Sequence, residues 1–288
     1  MKKLTKLIAL VLALASAATF ASCAKKDTTD TDDKNNDSSA ITDNSADTEN
    51  TDTDSDLRYV KDKGTLVVGI TVFEPMDYED ENGDWICFDA DMAKAFAESI
   101  GVEAKFQIID WDSKVMELGS KTIDAVWNGM TLTDEVKSAM ECSNAYCNNA
   151  QVVILPADKA DDYTDAESMK ELTFAVESGS AGLAEAVANG FSYVEVLDQA
   201  TALLEVSSGA ADAAIIDSLM AGAMVGEGTS YDKLTYTIGL NSEEYGVGFR
   251  KGSDLAAALN DFFKSAYDDG SMLSCAETYG VQAALIEQ

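Results

Sequence analysis

Asp124-Ala-Val-Trp-Asn-Gly-Met-Thr-Leu-Thr-Asp-Glu-Val-Lys137 is the stretch on which the reading of this chain turns. Residues 125–127 have the apolar character of a buried strand, 128–131 read as a polar turn, and Thr133 opens a helix. A threonine in that position caps the first-turn N–H groups, and Asp134 and Glu135 follow in the first turn. Open α/β sheets place ligands at such a turn, beyond a strand's carboxyl end, where free N–H groups and the positive end of a helix dipole gather. The segment taken alone fits an ordinary strand–helix connection equally well.

Outward from it, strands and helices alternate. Residues 66–70 read as a buried strand after the Gly64 turn, and 88–100 as an amphipathic helix closed by Gly101. A strand over 103–109 leads to Asp110-Trp111-Asp112, and a helix over 113–118 precedes the opening stretch. The order then recurs. Residues 172–176 form a strand feeding Glu177-Ser-Gly-Ser-Ala-Gly182 and a helix; 193–196 is a strand, 199–207 a helix, and 212–216 a strand ending in Asp217. Residues 118–125 and 206–213 share a layout: a helix end, a Ser/Gly turn, then Asp-Ala and a strand. The strand over 151–155 reads as a crossing between two lobes, and a strand over 245–250 returns to a helical stretch from Leu255. Such alternation predicts βα units with a mostly parallel sheet, repeated in two tandem α/β lobes. A cleft between two lobes is a favoured place for a small ligand.

The ends and the composition limit the function. Lys2, Lys3 and Lys6 precede an apolar run over 7–18, about a dozen residues, which suits a signal h-region and is too short to span a bilayer. Ala21-Ser22-Cys23 resembles the lipobox of bacterial lipoproteins, with Phe20 where that motif prefers leucine. This predicts cleavage after Ser22 and acylation of Cys23, a membrane anchor outside the cytoplasm. Residues 24–56 hold almost nothing apolar beyond Ile41 and read as a disordered acidic tether. The whole chain carries 52 acidic and 20 basic residues, a net charge of −32, which speaks against nucleic acid as a partner. It has no histidine, so the commonest general base and metal ligand is missing. Cys87, Cys142, Cys147 and Cys275 follow no zinc spacing; they read as free thiols or, for Cys142 and Cys147, one disulfide.

Taken in order, Gly64-Thr-Leu-Val-Val-Gly69, Phe73-Glu-Pro-Met76, Phe88-Asp89, Asp110-Trp111-Asp112, Gly129-Met-Thr-Leu-Thr133, Gly179-Ser180, Asp212-Ala213, Asp217-Ser218, Tyr245-Gly246 and Arg250-Lys-Gly252 carry a resemblance. The body is similar to the extracellular solute-binding proteins of polar amino-acid ABC transporters, solute-binding family 3. The resemblance implies a periplasmic-binding-protein-like α/β fold: two similar lobes, a two-strand hinge and a ligand cleft between them. Residues 1–22 would be the signal peptide, 23–56 the lipidated cysteine and tether, 57–151 with 244–288 the first lobe, and 152–243 the second. It further implies a monomer that hands its ligand to an ABC permease, with no cofactor, no metal and no catalysis. By position, Phe73 matches an aromatic that packs on the ligand, and Asn128, Gly129 and Thr131 match the loop that takes its amino and carboxylate groups. Ser180 matches a polar contact at a helix start, and Asp217 the carboxylate that holds the ligand ammonium. Ala181 stands where a threonine is common. Trp111, Trp127 and Tyr245 are candidate aromatic walls, and also candidate core residues.

Val136 departs from the pattern, because the family usually has an arginine there whose planar fork grips the α-carboxylate. Three alternatives are open. N–H and hydroxyl groups near Thr131 and Ser180 take the carboxylate. Lys137, Lys114 or Arg250 reaches in. Or the ligand is a carboxylate-free amine, held by Asp217 with Glu74 and aromatic faces. The leading expectation is a transport receptor for an amino acid, with an amine as the second ligand reading; a dehydratase of the same fold is the second class of function, and a sensor that passes ligand status to a membrane partner the third.

Overall fold

The computed structural model describes residues 55–288, with the side chain of Thr237 excepted. The signal segment, Cys23 and the tether up to residue 54 lie outside the described residues. Ser55 and Asp56, assigned to the end of the tether from sequence, belong to the fold. Ser55 caps the helix Asp56–Lys63, and Asp56 is buried against Arg250.

Two large sheets form, one per lobe, beside a two-stranded ribbon of Tyr78–Glu79 and Trp85–Ile86. In the first, Thr65–Ile70 lies between Glu103–Ile108 and Ala125–Thr131, all three parallel. In the second, Thr173–Glu177 lies between Ser192–Val196 and Ala213–Asp217, again all parallel. Each lobe therefore places its first strand centrally, its second at the edge and its third on the other side. An antiparallel strand then follows in each: Glu243–Phe249 in the first lobe and Gln151–Pro156 in the second. Burial follows position. Ala213–Asp217 is buried throughout, while the edge strand Ser192–Val196 is largely exposed.

The polar turn expected at 128–131 is instead a continuation of the strand to Thr131. Tyr245 and Gly246 pair with Thr131 and Met130, so the returning strand supplies backbone partners that the sequence pattern does not show. The irregularity survives as a register shift between Gly246 and Gly248, opposite Asn128 and Gly129. Gly129 adopts φ +55, and a Cβ there would stand 2.4 Å from the Phe73 ring. Thr133 does cap the helix Asp134–Ala139, its hydroxyl accepting from Val136 N–H at 3.1 Å.

The first lobe's core lies under its helices. Along Leu255–Asp268 the buried residues Leu255, Leu259, Phe263 and Ala266 recur at helical spacing. Phe263 meets Trp127 edge to face at 5.5 Å between ring centroids, and Phe96 also packs on Trp127. Arg250 serves this lobe too. Its guanidinium donates to Asp56, to the Ile123 carbonyl at 2.8 Å and to the fully buried Asp124 at 3.2 Å.

Two chain segments cross between the sheets. Cys147–Asn149 runs into Gln151–Pro156, and Leu234–Gly239 runs into Glu243–Phe249. They are antiparallel neighbours on both sides of the crossing, with Asn149 opposite Glu243 and Val152 opposite Gly239. This is the expected two-strand hinge. The four cysteines of the body are free thiols.

Candidate functional site

In an open sheet the loops diverge where the strand order reverses, here between the first and third strands of each lobe. The two reversals face one cavity of about 340 Å³. The first lobe contributes Asn128 to Thr131, the start of the following helix with Val136, and Trp111, Asp112 and Lys114. The second contributes Glu177, Gly179, Ser180, Gln199 and Asp217.

Asp217 ends the third strand of the second lobe and is 4% exposed. Three side-chain amides hold its carboxylate. Gln151 donates to Oδ1 at 2.7 Å, Asn149 donates to the same oxygen, and Gln199 donates to Oδ2. Asn149 and Gln151 each give a second N–H to Glu243, at 2.6 and 2.8 Å. The cleft carboxylate is thereby tied to the hinge, since Asn149 and Gln151 sit on a crossing segment, while Gln199 opens the helix Gln199–Ser208 of the second lobe. A carboxylate offers about four acceptor positions, which leaves Asp217 about one for a ligand donor. Burial, and then the neighbouring Glu243 charge, push its carboxyl up to about 7.

The side chain of Asn128 is engaged within its own lobe. Its Oδ1 accepts from Thr71 N–H and Oγ at 3.0 and 2.8 Å, and its Nδ2 donates to the Thr71 carbonyl and to Asp77. Both ends of the amide are spent within the lobe, so Asn128 shapes the loop and its backbone faces the cavity. The Gly129 N–H is likewise used, donating to Asp89 at 2.7 Å, while Asp89 also accepts from Tyr146. Thr131 donates its hydroxyl to Glu243 at 2.9 Å and keeps acceptor capacity. Ser180 caps the helix Ala181–Asn189, accepting from Leu183 N–H at 3.1 Å. That leaves the first-turn N–H groups of Ala181 and Gly182 without intrahelical partners, a place suited to an anion.

Other expected residues lie elsewhere. Phe73 is buried at 2% exposure against Gly129 and the edge of Tyr245, behind the cavity wall. Trp127 is core, and Tyr245 is fully buried near Asp217, whose charge helps push its phenol up after burial itself. Glu74 is half-buried and off the cavity wall. Trp111 does line the cavity, with the Lys114 ammonium 4.9 Å from its ring centroid. Of the three cations considered for the carboxylate, Arg250 is committed to the first lobe and Lys137 is exposed off the wall; Lys114 lines it. Lys114 donates to the carbonyls of Trp111 and Gly179, both at 3.0 Å, and so joins the two lobes. Burial holds its ammonium below the usual lysine range, opposed by Glu177. A Cβ on Gly179 would stand 2.7 Å from the Asp112 Cα, so the lobes meet closely here.

Sequence reasoning passed over Glu177, Gln199, Asn149, Gln151 and Glu243. Glu177 had the same signal as Asp217, an acidic residue at a strand's carboxyl end before a helix. The hinge amides carried no local signal, since only the crossing of two distant segments brings them to Asp217.

Residues 66–282 match the family described as bacterial extracellular solute-binding proteins, family 3. The chain belongs to that family. Among family 3 relatives, the L-cystine-binding protein TcyJ of Escherichia coli K12 is 28% identical over 77% of this chain and 85% of its own length. The arginine-binding extracellular protein ArtP of Bacillus subtilis is 29% identical over 73% and 84%. Among solved structures, a mutant of ArgBP from T. maritima superposes with a TM-score of 0.73 at 31% identity, covering 78% of this chain and 99% of that one. The ancestral amino acid-binding protein AncCDT-1, described as a precursor of cyclohexadienyl dehydratase, gives 0.71 at 29% identity, covering 78% and 99%. The two-lobed fold is thus that of amino-acid-binding proteins.

Proposed function

We propose that this protein is a receptor that closes its two lobes on a small solute bearing an ammonium group, most simply an amino acid, and delivers it to an ABC permease. Asp217 carries the proposal: a buried carboxylate at the cleft, fixed by three amides, with one acceptor position left. The relatives' names, which include cystine- and arginine-binding proteins, point to the same ligand class. Phe73 and Asn128 shape the site from behind, the Gly129 carbonyl and Thr131 hydroxyl accept from the ligand, and the helix start at Ser180 with Lys114 takes its carboxylate. Residues 57–151 with 244–288, and 152–243, move as the two bodies about the crossing strands. Lipidation of Cys23 anchors a monomer outside the cytoplasm, and the segment up to residue 54 gives it reach. No helix among the described residues is long and apolar enough to cross a membrane.

A binding role fits better than turnover, because relatives are named for the solutes they bind and the cavity wall offers no arginine fork to a dianionic substrate. The test is Asp217→Asn, which keeps the shape and removes the charge. Calorimetry should show at least tenfold weaker binding, about 1.4 kcal/mol, of the solute that most raises the melting temperature in a screen of amino acids and amines. Unchanged affinity would remove Asp217 from the site, and turnover of the solute would move the protein to the dehydratases.

A further inference from the structure

We propose that Glu177 is a second carboxylate of the ligand cleft, and that the cleft selects a solute with two cationic nitrogens over a neutral zwitterion. The inference rests on the cleft being the solute site, and adds a residue and a charge class to that reading.

Glu177 ends the first strand of the second lobe, and Asp217 ends the third, so the two carboxylates flank the same reversal of strand order. Glu177 is 2% exposed and lies on the cavity wall. Its Oε1 has no hydrogen-bond partner in the protein. Leaving a buried oxygen unpaired is costly, more so for a charged group, and a donor on the ligand would satisfy it. Its carboxyl is pushed up to about 8, by burial first and by Asp217 next, so the two acidic groups sense one another.

The charge on the wall points the same way. Asp112, Glu135, Glu177 and Asp217 face the single ammonium of Lys114 among the described residues lining the cavity. Lys114 spends two of its three N–H groups on carbonyls. A neutral zwitterion brings one positive and one negative group and leaves this excess as it was. A solute with two cationic nitrogens supplies one to each buried carboxylate. Val136 adds an apolar side chain to this wall and no counter-charge. The shared chemistry is two cationic nitrogens on a short chain, with or without a carboxylate.

The experiment titrates the full chain by calorimetry with L-lysine, cadaverine and L-norleucine, which differ in the carboxylate and in the second nitrogen. At least one of the two dications should bind ten times more tightly than norleucine. Lysine ahead of cadaverine would mean that a carboxylate is read, and cadaverine ahead that it is excluded; either supports the proposal. Glu177→Gln should remove the preference for dications, bringing the ratio of dication to norleucine affinity close to one. Glu177→Asp, which keeps the charge, should retain part of the preference, and thermal melts check that both variants fold. Norleucine binding as tightly as both dications, or a preference untouched by Glu177→Gln, overturns the proposal, as does a cleft that takes only neutral amino acids. If those neutral ligands are lost in Asp217→Asn, the receptor reading survives while this one fails.

Discussion

Gly179→Ala separates closure of the lobes from every other property of the site. Gly179 sits at φ +68, and an added Cβ would lie 2.7 Å from the Asp112 Cα and 2.8 Å from its Oδ1. Carbon atoms rest comfortably at about 3.5–4.0 Å, so the lobes would have to part here by roughly 1 Å. The Lys114 bond to the Gly179 carbonyl, now 3.0 Å, would then stretch beyond hydrogen-bonding length. A bond from a charged donor contributes about 1.5–3 kcal/mol, all of it to the closed state because it joins the two lobes. Alanine also strains the left-handed backbone by about 1–2 kcal/mol, whether the lobes are open or closed. Gly190 supplies the control: it has the same φ of +68, in the same lobe, with nothing within 4 Å of an added Cβ. Gly179→Ala and Gly190→Ala should therefore lower the melting temperature of the ligand-free protein alike. Only Gly179→Ala should weaken solute binding, by at least tenfold in calorimetry. Equal affinities in the two variants would refute the closed contact as part of the bound state.

Two further outcomes follow from buried charge. Asp217 and Glu177 titrate at about 7 and about 8, so below those values a cationic ligand must displace protons to meet two carboxylates. Affinity should fall as pH drops from 8 to 6, by up to about tenfold per unit for each proton released, and calorimetry in buffers of different ionisation enthalpy should register the release. Stability of the ligand-free protein should run the other way: between about pH 4 and 8 the native state holds protons that the unfolded chain has lost, so stability declines as pH rises through that window. Arg250→Met should destabilise the first lobe by about 3–5 kcal/mol in urea, because it leaves Asp124 buried with part of its counter-charge removed, while binding at low temperature persists.

The fold was legible because the same punctuation occurs twice. Gly64 and Gly101 bound the first lobe's opening units, and the Asp-Ala strand starts at Asp124 and Asp212 repeat in the second. Strand pairing across long separations was not legible, and that is why residues 128–131 read as a turn: their partner, Tyr245-Gly246, lies more than a hundred residues away. What was legible is that Asn128, Gly129, Thr131, Ser180 and Asp217 stand at strand and helix ends, and the fold gathers these positions around one cavity. Their side-chain roles were less so. Asn128 has the residue type of a ligand contact, yet only the fold shows that Thr71 and Asp77 occupy it. Phe73 is aromatic and near the cleft, but Gly129 lets it sink behind the wall.

The most direct measurement is a crystal structure of the protein with the solute that most raises its melting temperature. The lobes should be closed, with a ligand nitrogen within about 3 Å of an Asp217 carboxylate oxygen. A ligand bound with no nitrogen near Asp217, or bound outside the cavity between the two lobes, would contradict it.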